Sequence, residues 1–295
     1  MKTLATLLAV AAISTAARAA EPDWAQVDDA LGRAGTVTQD VHRYGFPRSD
    51  LNVTLDGVTI KPALALGGWV AFKPMGKDAM LMGDLVLTES EVNPVMAKLL
   101  AEGLQITALH NHLLRATPAT FYMHVGGHGD PVKMAVALRE ALILTKTPRI
   151  VVAATMSSPN SVSLDMAALE DAIGANGKDT GSGVYQFSVP RTDVISDDGM
   201  AVPAALGSAH AVNFQSTGEG KAAITGDFVA LSGEVVPLIT ALRKSDIEVT
   251  AIHNHMLSDE PRAFFIHFWA NDNAQKLARG VRAALETAKA DVKRP

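Results

Sequence analysis

The chain has 295 residues, no cysteine, and 31 acidic against 26 basic side chains, a formal charge of −5. Without cysteine there can be no disulfide, no thiolate metal site and no thiol nucleophile. An acidic balance offers no electrostatic case for binding nucleic acid or an anionic membrane.

Residues 1–19 read as an export signal: Lys2 is basic, Leu4–Ile13 is apolar but too short to span a bilayer, and Ala17-Arg18-Ala19 is a small-x-small cleavage pattern. The expected cut follows Ala19, giving a periplasmic or secreted protein with no cysteine to carry a lipid. Losing Lys2 and Arg18 leaves 24 basic against 31 acidic residues, a charge of −7. No later apolar run is long and uncharged enough to predict a membrane span.

The first unit, residues 22–146, opens with three predicted strands. The third contains Leu81-Met82-Gly83-Asp84-Leu85-Val86-Leu87. Thr88 and Glu91 then form a capping box, and Val92, Val95, Met96, Leu99 and Leu100 make the apolar stripe of a helix. Two strands follow, near 104–113 and 119–125, around the turn Arg115-Ala116-Thr117-Pro118. A last helix starts at Asp130-Pro131, N-cap then proline at N1, with Met134, Leu138, Ala141 and Leu142 on its apolar stripe. A linker over 147–163 contains Ser157-Ser158-Pro159-Asn160.

Residues 164–290 repeat the unit at an offset of 143. Pro47-Arg48-Ser49-Asp50 returns as Pro190-Arg191-Thr192-Asp193, Gly83-Asp84 as Gly226-Asp227, and Arg139 as Arg282. Ala30-Leu31-Gly32 returns as Ala172-Ile173-Gly174 at 142, so one residue was gained or lost. A repeat of this length is a duplicated domain. The expected class is α+β: two homologous domains, each a mainly antiparallel sheet with two helices in the order β-β-β-α-β-β-α.

Within that repeat, Ala108-Leu109-His110-Asn111-His112 returns as Ala251-Ile252-His253-Asn254-His255, and His124 returns as His267. Residues two apart on a strand share a face, so His110 and His112 point together. A hairpin centred on residue 117 sets His110 opposite His124, completing a three-histidine patch in each unit. The other face collects Leu109, Leu113, Phe121, Met123 and Val125, with Ile252, Met256, Phe264, Ile266 and Phe268 as counterparts. Three converging neutral imidazoles suit a divalent transition metal, Zn²⁺ first and Cu²⁺ next, and three protein ligands with an open fourth position is the usual catalytic zinc arrangement. The plainer reading makes them polar face residues bonded to backbone or to one another.

Asp84 and Asp227 are candidate fourth ligands, orienting groups or general bases. The competing reading is a bulge whose aspartate caps local backbone. His128, before the last helix, is a candidate base; the second unit has Asn271 there. Arg48 with Asp50 and Arg191 with Asp193 read as structural ion pairs, Glu91 and Glu234 as helix-start residues, and His42 and His210 as incidental. His-Asn-His does not make an HNH nuclease. No aspartate stands four residues after these histidines, which weakens a resemblance to M23-type peptidoglycan peptidases.

The run Met82–Met96 (Met-Gly-Asp-Leu-Val-Leu-Thr-Glu-Ser-Glu-Val-Asn-Pro-Val-Met), with Thr107–Leu114 and Gly127–Lys133, resembles the LppY/LpqO family of exported bacterial proteins. Ile224–Phe228 and His267–Asp272 carry the likeness into the second unit. The resemblance spans nearly all of the chain after the leader. It implies export but no activity, because the family is a domain of unknown function. The expected function is transition-metal binding at duplicated sites, with metal-assisted hydrolysis as the enzymatic form. The alternatives are a non-catalytic metal-binding or delivery protein, and a module binding a small molecule or cell-envelope component through structural histidines.

Overall fold

The computed structural model describes residues 21–148 and 163–293; the expected leader and most of the linker lie outside them. The first unit runs α1 (Trp24–Leu31), β1 (Thr36–Thr38), β2 (Val41–Pro47), β3 (Thr54–Leu55), β4 (Val58–Thr59), α2 (Pro62–Ala65), β5 (Gly67–Met75), β6 (Asp78–Thr88), α3 (Glu89–Ala101), β7 (Gln105–His110), β8 (Thr120–Gly129) and α4 (Pro131–Leu142). The second runs α5 (Met166–Ile173), β9 (Gly177–Asp179), β10 (Val184–Val189), β11 (Ser196–Asp197), β12 (Met200–Ala201), a 3-10 turn at Ala204–Leu206, β13 (His210–Gly218), β14 (Lys221–Leu231), α6 (Val235–Lys244), β15 (Glu248–His253), β16 (Asp259–Glu260), β17 (Ala263–Asn273) and α7 (Ala274–Leu285).

Each unit is a six-stranded antiparallel sheet with helices packed on it, so the α+β class holds. The orders β1-β2-β5-β6-β8-β7 and β9-β10-β13-β14-β17-β15 are the same order. Each unit also has an opening helix, α1 or α5, that the expected element string lacks. At eight residues it buries only Val27 and Leu31, or Leu169 and Ile173, too few for a stripe to stand out. Its punctuation was present: Asp23 and Asp165 are N-caps, and Gly32 and Gly174 close the helices at φ 69° and 78°. The repeated Ala-Leu-Gly and Ala-Ile-Gly are those left-handed C-terminal caps.

Alternation along the strands makes two kinds of core. Phe121, Met123 and Val125 of β8 face the helices, together with Val95, Leu99 and Leu138. The intervening Tyr122 and His124 face the opposite sheet. Two clusters lie between the sheets and draw on both units. One contains Val86, Leu113 and Tyr122 with Val184 and Ala223. The other contains Val229, Met256 and Phe265 with Val41 and Met80. The members match in pairs at the 143 offset, with the contributing units exchanged. That is the signature of an isologous contact, an internal pseudo-twofold.

Arg48 is 1% exposed and ties the sheet to α3. Its guanidinium donates to Asp50 (2.9 and 2.8 Å), to the Val86 carbonyl (2.8 Å) and to Glu91 Oε2 (2.7 Å). Glu91 also accepts the Thr88 N–H at 2.8 Å. Arg191 does the same with Asp193, the Val229 carbonyl and Glu234. Removing one partner of a buried pair strands the other charge, which typically costs about 3–5 kcal/mol. Arg48→Ala should therefore lower the unfolding free energy by about that much in urea titration. An unchanged midpoint would show that the network does not hold β6 to α3.

Candidate metal centre

The hairpin register places the histidines. β7 pairs with β8 so that His110 faces Tyr122 and Ala108 faces His124, with an irregularity between Ile106 and Ala108. The expected His110–His124 opposition is therefore off by two residues. A shift of two keeps the same face, so the trio survives. Ring centroids of His110 lie 4.9 Å from His112 and 5.0 Å from His124; those of His253 lie 5.0 Å from His255 and 4.8 Å from His267. Leu109 and Ile252 lie on the edge strands β7 and β15 and are 43% and 50% exposed; past His110 strand β7 ends, and Leu113 and Met256 turn into the clusters between the sheets rather than the expected helix-facing cores. Leu100, on the expected helix stripe, is also exposed.

The trios are not separate sites. They meet across the pseudo-twofold. His110 stacks on His253 at 3.5 Å, and these two are each other's counterparts, so that pair sits on the axis. His112 stacks on His267 at 3.6 Å, and its symmetry mate, His124 on His255, at 3.9 Å. Tyr122 and Phe265 close the stack at both ends, 3.5 Å from His112 and 3.3 Å from His255.

The aspartates join the same cluster. Asp84 lies directly across from His124 on β6 and β8, and Asp227 from His267 on β14 and β17. Pairing is continuous through both, so neither is at a bulge. The preceding glycines are needed for close approach: a Cβ on Gly226 would sit 2.0 Å from the Ala211 carbonyl oxygen, and one on Gly83 2.8 Å from that of Trp69. Asp84 Oδ2 is 3.7 Å from His112 Nε2 and Asp227 Oδ2 is 3.4 Å from His255 Nε2; their Oδ1 atoms are 4.0 and 3.9 Å from His124 and His267. Most of these are too long for hydrogen bonds. They are near the ligand–ligand edge of a tetrahedron with bonds of about 2 Å, roughly 3.3 Å.

Four overlapping groups have their ligand atoms within 4.8 Å of one another: Asp84-His112-His124, its mate Asp227-His255-His267, and two mixed sets, His110-His112-His253-His267 and His124-His253-His255. The Nε2 atoms of all six histidines and Oδ1 of both aspartates are buried without a hydrogen-bond partner. Buried polar atoms are almost always partnered, so eight orphans converging on one spot fit a metal. His267 is held through Nδ1 by the Gly226 carbonyl at 2.9 Å, and the Gly83 backbone bonds His124. Such outer bonds fix the tautomer and leave Nε2 free to ligate.

Burial keeps the imidazoles neutral, the form a metal requires. It lowers His110 to about 3 and His253 to about 4, and holds His112, His124, His255 and His267 well below the ordinary value. It raises Asp84 to about 7 and Asp227 well above the carboxylate range.

His128 is not part of this centre. It is exposed, four residues along β8 from His124, or about 13 Å at strand rise, and belongs to none of the four groups. It lines the outer part of a cavity of about 90 Å³ that reaches inward to His124 and His255. His42 instead stacks on Trp24 at 3.6 Å, and His210 Nδ1 accepts the Val229 N–H.

Residues 25–143 and 167–287 each match the family described as Domain of Unknown Function (DUF1259). No curated protein matches the chain. Two solved structures are similar over most of it. PduB, a trimeric bacterial microcompartment shell protein, is 12% identical over 89% of this chain and 97% of its own, with a TM-score of 0.23. EtuB from Clostridium kluyveri is 11% identical over 86% and 90%, with a TM-score of 0.19. At those scores the likeness says nothing of function. No helix among the described residues is long and apolar enough to cross a membrane.

The depressed histidines set a pH dependence. Below about pH 6.5 the unfolded chain takes up protons that the folded histidines refuse, so acid favours unfolding down to the folded values near 3–4. Asp84 and Asp227 work the other way, because the folded state binds their protons more tightly. His42 and His210 are also depressed and Asp197 is also raised, so eight histidines oppose three aspartates, and with chelator present the melting temperature should fall from pH 7 to 4.5. The fall should be shallower in His112→Gln/His255→Gln, by circular dichroism. Equal slopes would mean that these two histidines titrate alike in both states.

Proposed function

The chain belongs to the family described as Domain of Unknown Function (DUF1259), as two tandem copies, and we propose that it is an exported transition-metal-binding protein whose two copies build one composite centre. The observation that carries this reading is the convergence of eight buried, unpartnered ligand atoms on the pseudo-twofold axis. Zn²⁺ suits the donor set best, with Cu²⁺ next, since imidazole and carboxylate serve both. Asp84, His112 and His124 would hold one ion, and Asp227, His255 and His267 a second. His110 and His253 lie between them and join both mixed sets. Export, with cleavage after Ala19, rests on the leader pattern and on the resemblance to LppY/LpqO proteins; periplasmic fractionation checks it.

The competing single-ion arrangement, a closed set of His110, His112, His253 and His267 on the axis, would favour holding or delivering a metal over turning over a substrate, and would take one ion per chain rather than two. The reading as a module with purely structural histidines is disfavoured, because Tyr122 and Phe265 are packed on the rings rather than lining an open cleft. Metal-assisted hydrolysis keeps one supporting observation: the cavity reaches His124 and His255, so a metal held there would meet solvent. A metal there would lower the pKa of a bound water.

The test is titration of tag-free protein with Zn²⁺ and Cu²⁺, followed by melting. Two ions should bind per chain. Each of His112→Ala and His255→Ala should lose about half the sites, and the double variant nearly all. At a hundredfold excess over Kd, binding stabilises the fold by about 2.7 kcal/mol, which the wild type should show and the double variant should not. Equal weak binding by both, with no rise in melting temperature, would return the histidines to a structural role. Ester hydrolysis by zinc-loaded wild type that disappears in the His112→Ala/His255→Ala double variant would establish the hydrolytic form.

A further inference from the structure

The pseudo-twofold that builds the centre is broken around it. The hairpin β3–β4 of the first unit corresponds to β11–β12 of the second: Val53-Thr54-Leu55-Asp56-Gly57 matches Ile195-Ser196-Asp197-Asp198-Gly199, and Asp56 and Asp198 take nearly the same left-handed φ, 49° and 48°. Both hairpins lie against the loop that follows the His-Asn-His strand, through Thr54 with Thr117 and Ser196 with Glu260. At this shared position the two sides carry opposite chemistry.

On one side the space is filled. Leu55, Ala116 and Trp269 are buried together in the apolar cluster beside Tyr122. The Trp269 indole N–H donates to Asp56 Oδ2 at 3.1 Å. Arg115 then spans Asp56 and Glu248, at 3.0 and 2.8 Å, as a strap tied to the carboxylate that the indole bonds.

On the other side each of these plugs is replaced. Asp197 stands where Leu55 does, Asp259 where Ala116 does, and Gly126 where Trp269 does. Ser258 takes the place of Arg115, and Gln105 that of Glu248, so the strap is missing as well. What results is the cavity that runs from exposed His128, Asp198 and Ser258 inward to His124 and His255. Asp197 lines this cavity and its Oδ1 is buried without a hydrogen-bond partner; Asp259, directly opposite it on β16, is held instead by Arg262 at 3.5 Å and by the Ala263 N–H. At the inner end, His124 is 3% exposed and its Nε2 has no partner. Carboxylates at the mouth, then unpartnered imidazole nitrogens at the base, make a path of rising affinity for a cation.

We propose that divalent metal ions reach the centre from one side only, through the acidic cavity lined by Asp197, Asp198 and His128, while Trp269 and its ion-pair strap seal the equivalent path on the other side. This rests on the metal-binding reading above. Asp197 and Asp198 line the cavity with no lysine or arginine ion pair among the described residues, and such carboxylates raise the local concentration of a divalent cation and speed its capture, an effect that salt screens. The sealed side offers no such field: Asp56 is matched by Arg115.

Stopped-flow loading with Co²⁺ or Zn²⁺ alone tests the route separately from the centre. Asp197→Asn/Asp198→Asn should bind the same number of ions at equilibrium but load about tenfold more slowly at low ionic strength, with the gap closing in high salt. Asp56→Asn, on the sealed side, should load at the wild-type rate. Gly126→Trp copies the plug: a Cβ there meets nothing closer than 3.6 Å, so the larger side chain has room to enter the cavity, and loading should slow by tenfold or more while stoichiometry holds. If the double asparagine variant loads as fast as wild type, or Asp56→Asn slows it equally, the route is wrong and the centre stands. If Gly126→Trp fails to fold, that pair of aspartate variants decides alone. If wild type takes up no metal, both the route and the centre fall.

Discussion

Two sheets meet through a face that carries six imidazoles and two carboxylates, and the rest of the molecule is arranged around the burial of those groups. An unpaired polar atom taken out of water costs on the order of 1–3 kcal/mol, and more for a charge. Eight such atoms on one axis are a heavy burden on a fold of marginal net stability. The protein carries it with apolar clusters on either side of the stack, Val86 and Leu113 at one end, Val229 and Met256 at the other. A bound ion would offset the remaining cost, so folding and ligation draw on the same atoms.

Duplication explains how so dense a cluster could form. A single unit places three histidines and one aspartate together, with His112, His124 and Asp84 within ligand reach of one another. An isologous contact doubles whatever lies near its axis, and His110 lies on it, stacked on its own counterpart. Fusion of the copies into one chain then lets the two halves differ. Most of the inter-sheet pairs have kept their character, as Tyr122 and Phe265 have. The ring around one mouth has not: leucine, alanine and tryptophan are balanced there by two aspartates and a glycine. A homodimer could not make that distinction, because any substitution would appear on both sides.

The buried arginines show the same economy at a structural site. Arg48 and Arg191 make matching sets of bonds to an aspartate two residues on, a strand carbonyl and a helix-start glutamate. They fix the strand end carrying Asp84 or Asp227 against the helix that follows.

Much of this was legible in the chain. Period-two spacing put His110 and His112 on one face, the 143-residue offset revealed the duplication, and Asp130 with Pro131 marked a helix start, because each is a local rule acting over a few residues. The opening helices were missed since two apolar contacts make no stripe, although Gly32 and Gly174 closed them. The hairpin register slipped by two because an irregularity near Thr107 is invisible to counting, and the face survived only because the slip was even. His128 looked like a base from its neighbours in sequence; strand rise carried it away from the cluster. Sequence determined which residues each half presents. Only the tertiary structure decided that the halves present them to each other, that two trios become one centre, and that Asp197 and Trp269 stand at equivalent mouths, because those outcomes depend on packing between residues more than a hundred positions apart, where no local periodicity reaches.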